Sequence, residues 1–165
     1  MLSLILSVLC VTTNKSFVEE VPRQGVVIKS KRPDKEYIEA CNKSRKCRLL
    51  REAGYYEARN QSDKGVAAVM HVILNRVNHK AWASSVEGVL SAPHQFSYRF
   101  DGSMKKGFAE KEQRDRIAVI AMKVVEGEIP SPVGLAVFYH STQVFPSWRN
   151  RVQYVGRIGS HLFYK

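Results

Sequence analysis

The sequence predicts a mostly helical α+β domain with a minor strand element, and three observations carry that prediction. Apolar residues recur at helical spacing in two long runs, Val66 to Val77 and Ile117 to Val125. One strand-like run, "LAVFYH" (residues 135–140), follows the second of them. The chain of 165 residues is 44% hydrophobic and 25% charged, a balance that suits one domain with a real core.

The elements follow in order. Leu2 to Val11 is an apolar run of about ten residues, half the roughly 20 that a bilayer span needs. Residues 1–13 read as an export signal or anchor, although no positive residue precedes the apolar core; a buried N-terminal strand is the alternative. Residues 14–34 read as a basic linker punctuated by Pro22, Gly25 and Pro33, with room for a short strand at Val26–Ile28. The main folded domain is expected over residues 35–165. A helical pattern runs from Lys35 to Arg59 through Tyr37, Cys41, Leu49, Leu50, Ala53 and Tyr56, with Asp34 as its cap. Ser62 or Asp63 caps the next helix. Only His71, Asn75 and Arg76 interrupt its apolar character, so it is expected at the centre of the fold. A short helix spans Ser85–Ser91. The polar, aromatic stretch "APHQFSYRFDGSMKKG" (92–107) has no period and reads as a binding loop. A helix from Ala109 to Val125 ends at Gly127, and Pro130 and Pro132 prevent its resumption. The tail after the strand reads as loop-rich.

A formal charge of +11 predicts attraction to polyanions, whether nucleic acid, anionic lipid or an acidic cell-wall polymer. No zinc-knuckle spacing or Gly-rich phosphate loop supports a nucleic-acid module. Cys41 and Cys47 could close a small disulfide in an exported chain, or stand as two free thiols; Cys10 lies in the N-terminal segment.

Glu57 is the residue with chemistry to explain. It stands where one helix gives way to the next, beside Tyr55 and Tyr56. Cleaving a glycosidic bond requires a carboxylic acid that stays protonated near neutral pH, and a semi-apolar pocket supplies one by penalising the charged form. "HQFSY" and "FPSWRN" offer aromatic and polar residues for a sugar groove. The plainer reading is a solvated glutamate on a helix.

Four separated motifs shift that balance: "YYEARNQSDKGVAAVMHVILNRV", "HQFSY", "FYHSTQVFPSW" and "IGSHLFYK", in that order. Together they resemble the SleB-type cell wall hydrolase family, from Leu49 to Lys165. The family's Tyr-x-Glu-Ala-Arg falls on Tyr55, Glu57, Ala58 and Arg59, followed by Gly65 and Asn75–Arg76. Its later motifs fall on Gln95, Phe96, Ser97, Pro146, Trp148, Gly159, His161 and Phe163. The resemblance implies a lysozyme-like, lytic-transglycosylase-like domain that cuts the MurNAc–GlcNAc bond of peptidoglycan, with Glu57 as catalytic acid. Many members continue Glu-Ala-Arg-Gly-Glu where this chain has Asn60 and Gln61, so a second carboxylate is missing there. A lytic transglycosylase manages with one carboxyl group, because no water has to be activated.

The alternatives are a two-carboxylate muramidase and an inactive peptidoglycan-binding protein. For the former, Glu87 and Asp101 are the candidate second acids; they read as a surface helix residue and a turn residue. The candidate substrate-binding residues are Tyr55, Gln95, Phe96, Ser97, His140 and Trp148. His140, His161 and His94 match no local ligand spacing, so neither a metal nor another cofactor is expected. His71 is expected to be a satisfied core histidine, and Gly65, Asn75 and Arg76 to be structural. The expected partner is bacterial peptidoglycan, with no nucleic acid and no membrane contact beyond the N-terminal segment. A monomer is expected, exported or phage-encoded, acting at the cell wall.

Overall fold

The computed structural model describes residues 32–165. The expected signal, most of the linker, the strand at Val26–Ile28 and Cys10 lie outside the described residues.

The domain is mostly helical with one small sheet. The pattern expected as a single helix from Lys35 is two helices, α1 (Asp34–Lys43) and α2 (Arg45–Ala58). Ser44 makes the break: it is extended, and its side chain accepts from Cys47 N at 3.2 Å, capping α2. A Cys41–Cys47 disulfide clips the corner and settles the choice between bridge and free thiols. Asp34 lies in the first turn of α1, and Pro33 is its N-cap.

Helix α3 (Asp63–Val77) is capped by Ser62, whose side chain accepts from Gly65 N. It is buried on two sides, which explains why it is apolar nearly all round. Val66, Met70 and Ile73 face the main helical core with Leu50, Ala53, Ile117 and Ala121, while Ala68 and Val72 pack with Val133, Ala136 and Phe163 of the sheet region. Gly54 permits this packing, since a Cβ there would lie 2.6 Å from Met70 Cε and 3.2 Å from Val66 Cγ1. Helix α4 is short (Val86–Leu90), and α5 spans Lys111–Val125. Between them, the 92–107 loop contains two 3-10 turns, Ser97–Arg99 and Ser103–Lys106.

The strand-like run is β1 (Phe138–Ser141). The tail expected to be loop-rich carries β2 (Tyr154–Ile158) and β3 (His161–Tyr164), which pair antiparallel in the order β1-β3-β2. Tyr139 lies opposite Phe163, and Ser141 opposite His161. Gly159 and Ser160 form the two-residue turn between β2 and β3, with Gly159 at φ 56°. Asn75 donates to the carbonyls of Gly134 and Ala136, each at 2.8 Å, and so ties α3 to the segment that leads into β1.

Candidate active site

Glu57 occupies the last turn of α2, and the chain reverses just after it to enter α3. The Tyr139 hydroxyl of β1 donates to Glu57 Oε2 at 3.0 Å. Burial holds the Glu57 carboxyl above the usual carboxylate range; the Tyr139 bond and the charge of Arg76 pull it down, and the Asp101 charge adds to the rise. Burial prevails. The Tyr139 hydroxyl is itself pushed well up by burial and by Glu57, so it stays a donor.

A groove of about 440 Å³ opens over this pair. Its walls are Glu57 and Arg76 from the helices, Trp82, His94 and Gln95 from the connections, and Phe138 to Ser141 from β1. Val144, Pro146, Trp148 and His161 complete it. Glu57 is the one carboxylate in that lining. Aromatic faces beside a few polar groups suit a sugar chain, which offers apolar ring faces and polar edges.

Of the residues expected in the site, Glu57, Gln95, His140 and Trp148 come together there. Three do not. Tyr55 is two residues from Glu57 on α2, on the opposite side of the helix. It is buried, accepts from Glu110 N at 3.2 Å, and packs edge-on against Phe108. Phe96 is fully buried, edge-on to Tyr98. Ser97 is exposed and opens a 3-10 turn outside the groove lining. Tyr56, beside Glu57, pins the 92–107 loop to α2: it stacks on Tyr98 at 4.7 Å and donates to the Gly107 carbonyl. A low-exposure ion pair, Arg99 to Glu52 at 2.7 Å, fixes the same loop.

His140 lines the groove, but both its ring nitrogens are engaged. Nδ1 donates to the Ser141 carbonyl at 2.8 Å, and Nε2 pairs with the Tyr164 hydroxyl at 3.0 Å. It orders the sheet and has no nitrogen left for a sugar hydroxyl. Trp148 packs on Phe138, edge-on to His140 and Tyr164. His94, with φ at 59°, holds a backbone conformation uncommon outside glycine. The three groove histidines make no cation site: among the described residues no group of three or more His, Cys, Asp or Glu side chains is placed to hold a metal ion.

Neither Glu87 nor Asp101 belongs to the groove lining. Glu87 is exposed and paired with Arg45, and Asp101 accepts from Ser103 N at 2.8 Å in a turn. His71 is satisfied by the Ile129 carbonyl at 2.9 Å. Gly65 is structural through the close approach of Gln61, whose Cβ would lie 2.8 Å from a Cβ at position 65. Gln61, standing where many of the family have Glu, accepts from Ser160 N at 3.0 Å and braces the β2–β3 turn. Sequence reasoning missed Tyr139, Trp82 and Phe138 as groove residues and placed Arg76 among the structural ones. The signal for Tyr139 was its place within "FYHST".

Comparison with known proteins agrees with this geometry. The Cell Wall Hydrolase family model matches residues 60–164, beginning just after Glu57. The spore cortex-lytic enzyme of Bacillus subtilis is 35% identical over 116 residues, 70% of this chain and 36% of that protein. Its counterpart in Oceanobacillus iheyensis is 33% identical over 118 residues, 71% of this chain and 40% of that protein. The chain thus spans well under half the length of these relatives. Among solved structures, the catalytic domain of the germination-specific lytic transglycosylase SleB from Bacillus anthracis superposes with a TM-score of 0.61 at 27% identity, covering 73% of this chain and 93% of that one. The Bacillus cereus SleB catalytic domain gives 0.58 at the same identity, covering 73% of this chain and 89% of that one. Matched by the family model over residues 60–164, this chain belongs to the cell wall hydrolase family.

Proposed function

We propose that this domain degrades peptidoglycan as a lytic transglycosylase, cleaving the MurNAc–GlcNAc bond with Glu57 as its one acid and base. The observation that carries the reading is Glu57 itself, the single carboxylate in the lining of an aromatic groove, with burial shifting it toward its protonated form. The names of the SleB relatives, spore cortex-lytic enzyme and lytic transglycosylase, support it.

The steps follow from the geometry. Tyr139 occupies Oε2, so the proton to be donated sits on Oε1. Glu57 gives that proton to the glycosidic oxygen as the C1–O bond breaks and positive charge develops at C1. The resulting carboxylate takes the proton of the muramoyl 6-hydroxyl, whose oxygen closes on C1. Glu57 ends as it began, and the product is a 1,6-anhydro sugar. Neither Glu87 nor Asp101 favours the two-carboxylate alternative, since Glu87 is tied to Arg45 and Asp101 to its own turn. A disulfide and a peptidoglycan substrate both point to work outside the cytoplasm.

The test is digestion of purified peptidoglycan by the wild type and by Glu57→Gln, with muropeptides read by mass spectrometry. Anhydro-muropeptides are expected, and the variant should lose roughly 10²- to 10⁴-fold in rate. Products carrying one added water would replace this reading with a muramidase. Equal rates in the two proteins would remove Glu57 from the mechanism.

A further inference from the structure

Arg76 is the one buried arginine, lysine or carboxylate residue among the described residues, at 4% exposure. Its Nε donates to the Val137 carbonyl at 2.7 Å, and its guanidinium carbon lies 4.2 Å from the Trp82 ring centroid and 5.7 Å from that of Phe96. These contacts fix the group in place but leave it incomplete. Nη1 is buried with no hydrogen-bond partner, and no carboxylate within 4.0 Å forms an ion pair with Arg76 among the described residues. A desolvated guanidinium without a counter-ion is costly, and an apolar side chain would have continued the buried face of α3.

The groove supplies the reason. Arg76 lines it together with Glu57, which is neutral before the reaction and charged halfway through. We propose that Arg76 is a positioning residue matched to the carboxylate that Glu57 becomes, with its unpartnered Nη1–H as the donor kept for that state. The inference rests on Glu57 being the general acid. Arg76 stays protonated throughout. The proton leaves Glu57 for the glycosidic oxygen and returns from the 6-hydroxyl, and in the interval the unpartnered Nη1–H shares the groove with a carboxylate. A buried acid near an unpaired cation is thereby held at an intermediate strength: burial keeps the proton on, and Arg76 keeps its departure from being prohibitive.

Besides His94, which lines the same groove, few titratable groups act on Glu57, so the effect of Arg76 can be separated. Tyr139 donates from β1, Asp101 adds a like charge from the 92–107 loop, and Arg76 adds the one cation, from α3. His161 of β3 stands edge-on to Tyr139 at 5.4 Å and is held neutral by burial and by His140.

The experiment measures kcat and KM against pH on purified peptidoglycan for the wild type, Arg76→Met, Arg76→Gln and Arg76→Lys, with circular dichroism to confirm folding. The high-pH limb reports loss of the Glu57 proton. In Arg76→Met it should move up by about one pH unit while kcat at the optimum falls about 100-fold and KM stays within about threefold. Arg76→Gln repeats the neutral substitution with a side chain that keeps an N–H. Arg76→Lys keeps the charge, so its limb should stay at the wild-type position with an intermediate kcat. A limb that does not move in the neutral variants, or a loss confined to KM in any variant, would overturn the proposal and make Arg76 a substrate-binding group. Activity surviving in Glu57→Gln would instead overturn the reading of the acid on which this rests.

Discussion

The Tyr139 hydroxyl donates to Oε2 of Glu57 at 3.0 Å, joining β1 to the end of α2 across 82 residues of sequence. That bond favours the charged form of the acid, so Tyr139→Phe should raise the Glu57 pKa further and move the high-pH limb upward. The rate should fall roughly tenfold, the equivalent of about 1.4 kcal/mol, a usual worth for a hydrogen bond to a charged group. A pH–rate profile of Tyr139→Phe on peptidoglycan checks both.

Glu57 also makes a stability prediction with a definite sign. Its folded pKa is raised, so the stability it permits is fully present below the unfolded pKa and is lost as pH rises through the folded one. Glu57→Gln carries no such loss. The variant should match the wild type near pH 4 and exceed it at pH 8, by about 1.4 kcal/mol for each unit of displacement. Urea unfolding at the two pH values measures the gap; a gap that narrows toward alkaline pH would contradict the burial of Glu57.

Gln61 and Gly159 form a brace that ought to be sensitive to size but not to charge. Gln61→Glu keeps the acceptor for Ser160 N, so stability should stay within about 0.5 kcal/mol, and the products should remain anhydro sugars because that carboxylate is directed at the backbone. Gln61→Ala should cost about 1 kcal/mol. Gly159→Ala places a Cβ against Gln61 Oε1 at a φ of 56°, and should cost roughly 1–3 kcal/mol. Denaturant unfolding and muropeptide mass spectrometry together test the set.

The Cys41–Cys47 bridge closes a short loop at the α1–α2 corner, away from the groove lining. Replacing both cysteines with serine should lower stability by about 2 kcal/mol while leaving the rate at 25 °C near that of the wild type. Unfolding with and without a reductant should give the same difference in the wild type and none in the variant.

Legibility in the sequence followed the range of the interactions. Helices α3 and α5 were readable because their apolar period is local, and Glu57 because it sits in a contiguous motif. The break at Ser44 was hidden by an apolar pattern that runs on through it, with only the capping serine to mark it. The β2–β3 hairpin was missed although Gly159–Ser160 is a hairpin signal, because Gly156 and the nearby polar residues broke the alternation. The groove was the least legible part. Tyr55 and Phe96 stand next to groove residues in sequence yet turn into the core, while Tyr139, Trp82 and Arg76 reach the groove through pairing and packing that adjacency does not encode.

The sheet order β1-β3-β2 places the last-made strand in the middle. During synthesis, the two outer strands have no neighbour to pair with until residues 161–164 emerge, so Tyr139 has no fixed seat from which to meet Glu57. A growing chain thus carries Glu57 well before it carries β3, the strand that seats its Tyr139 partner.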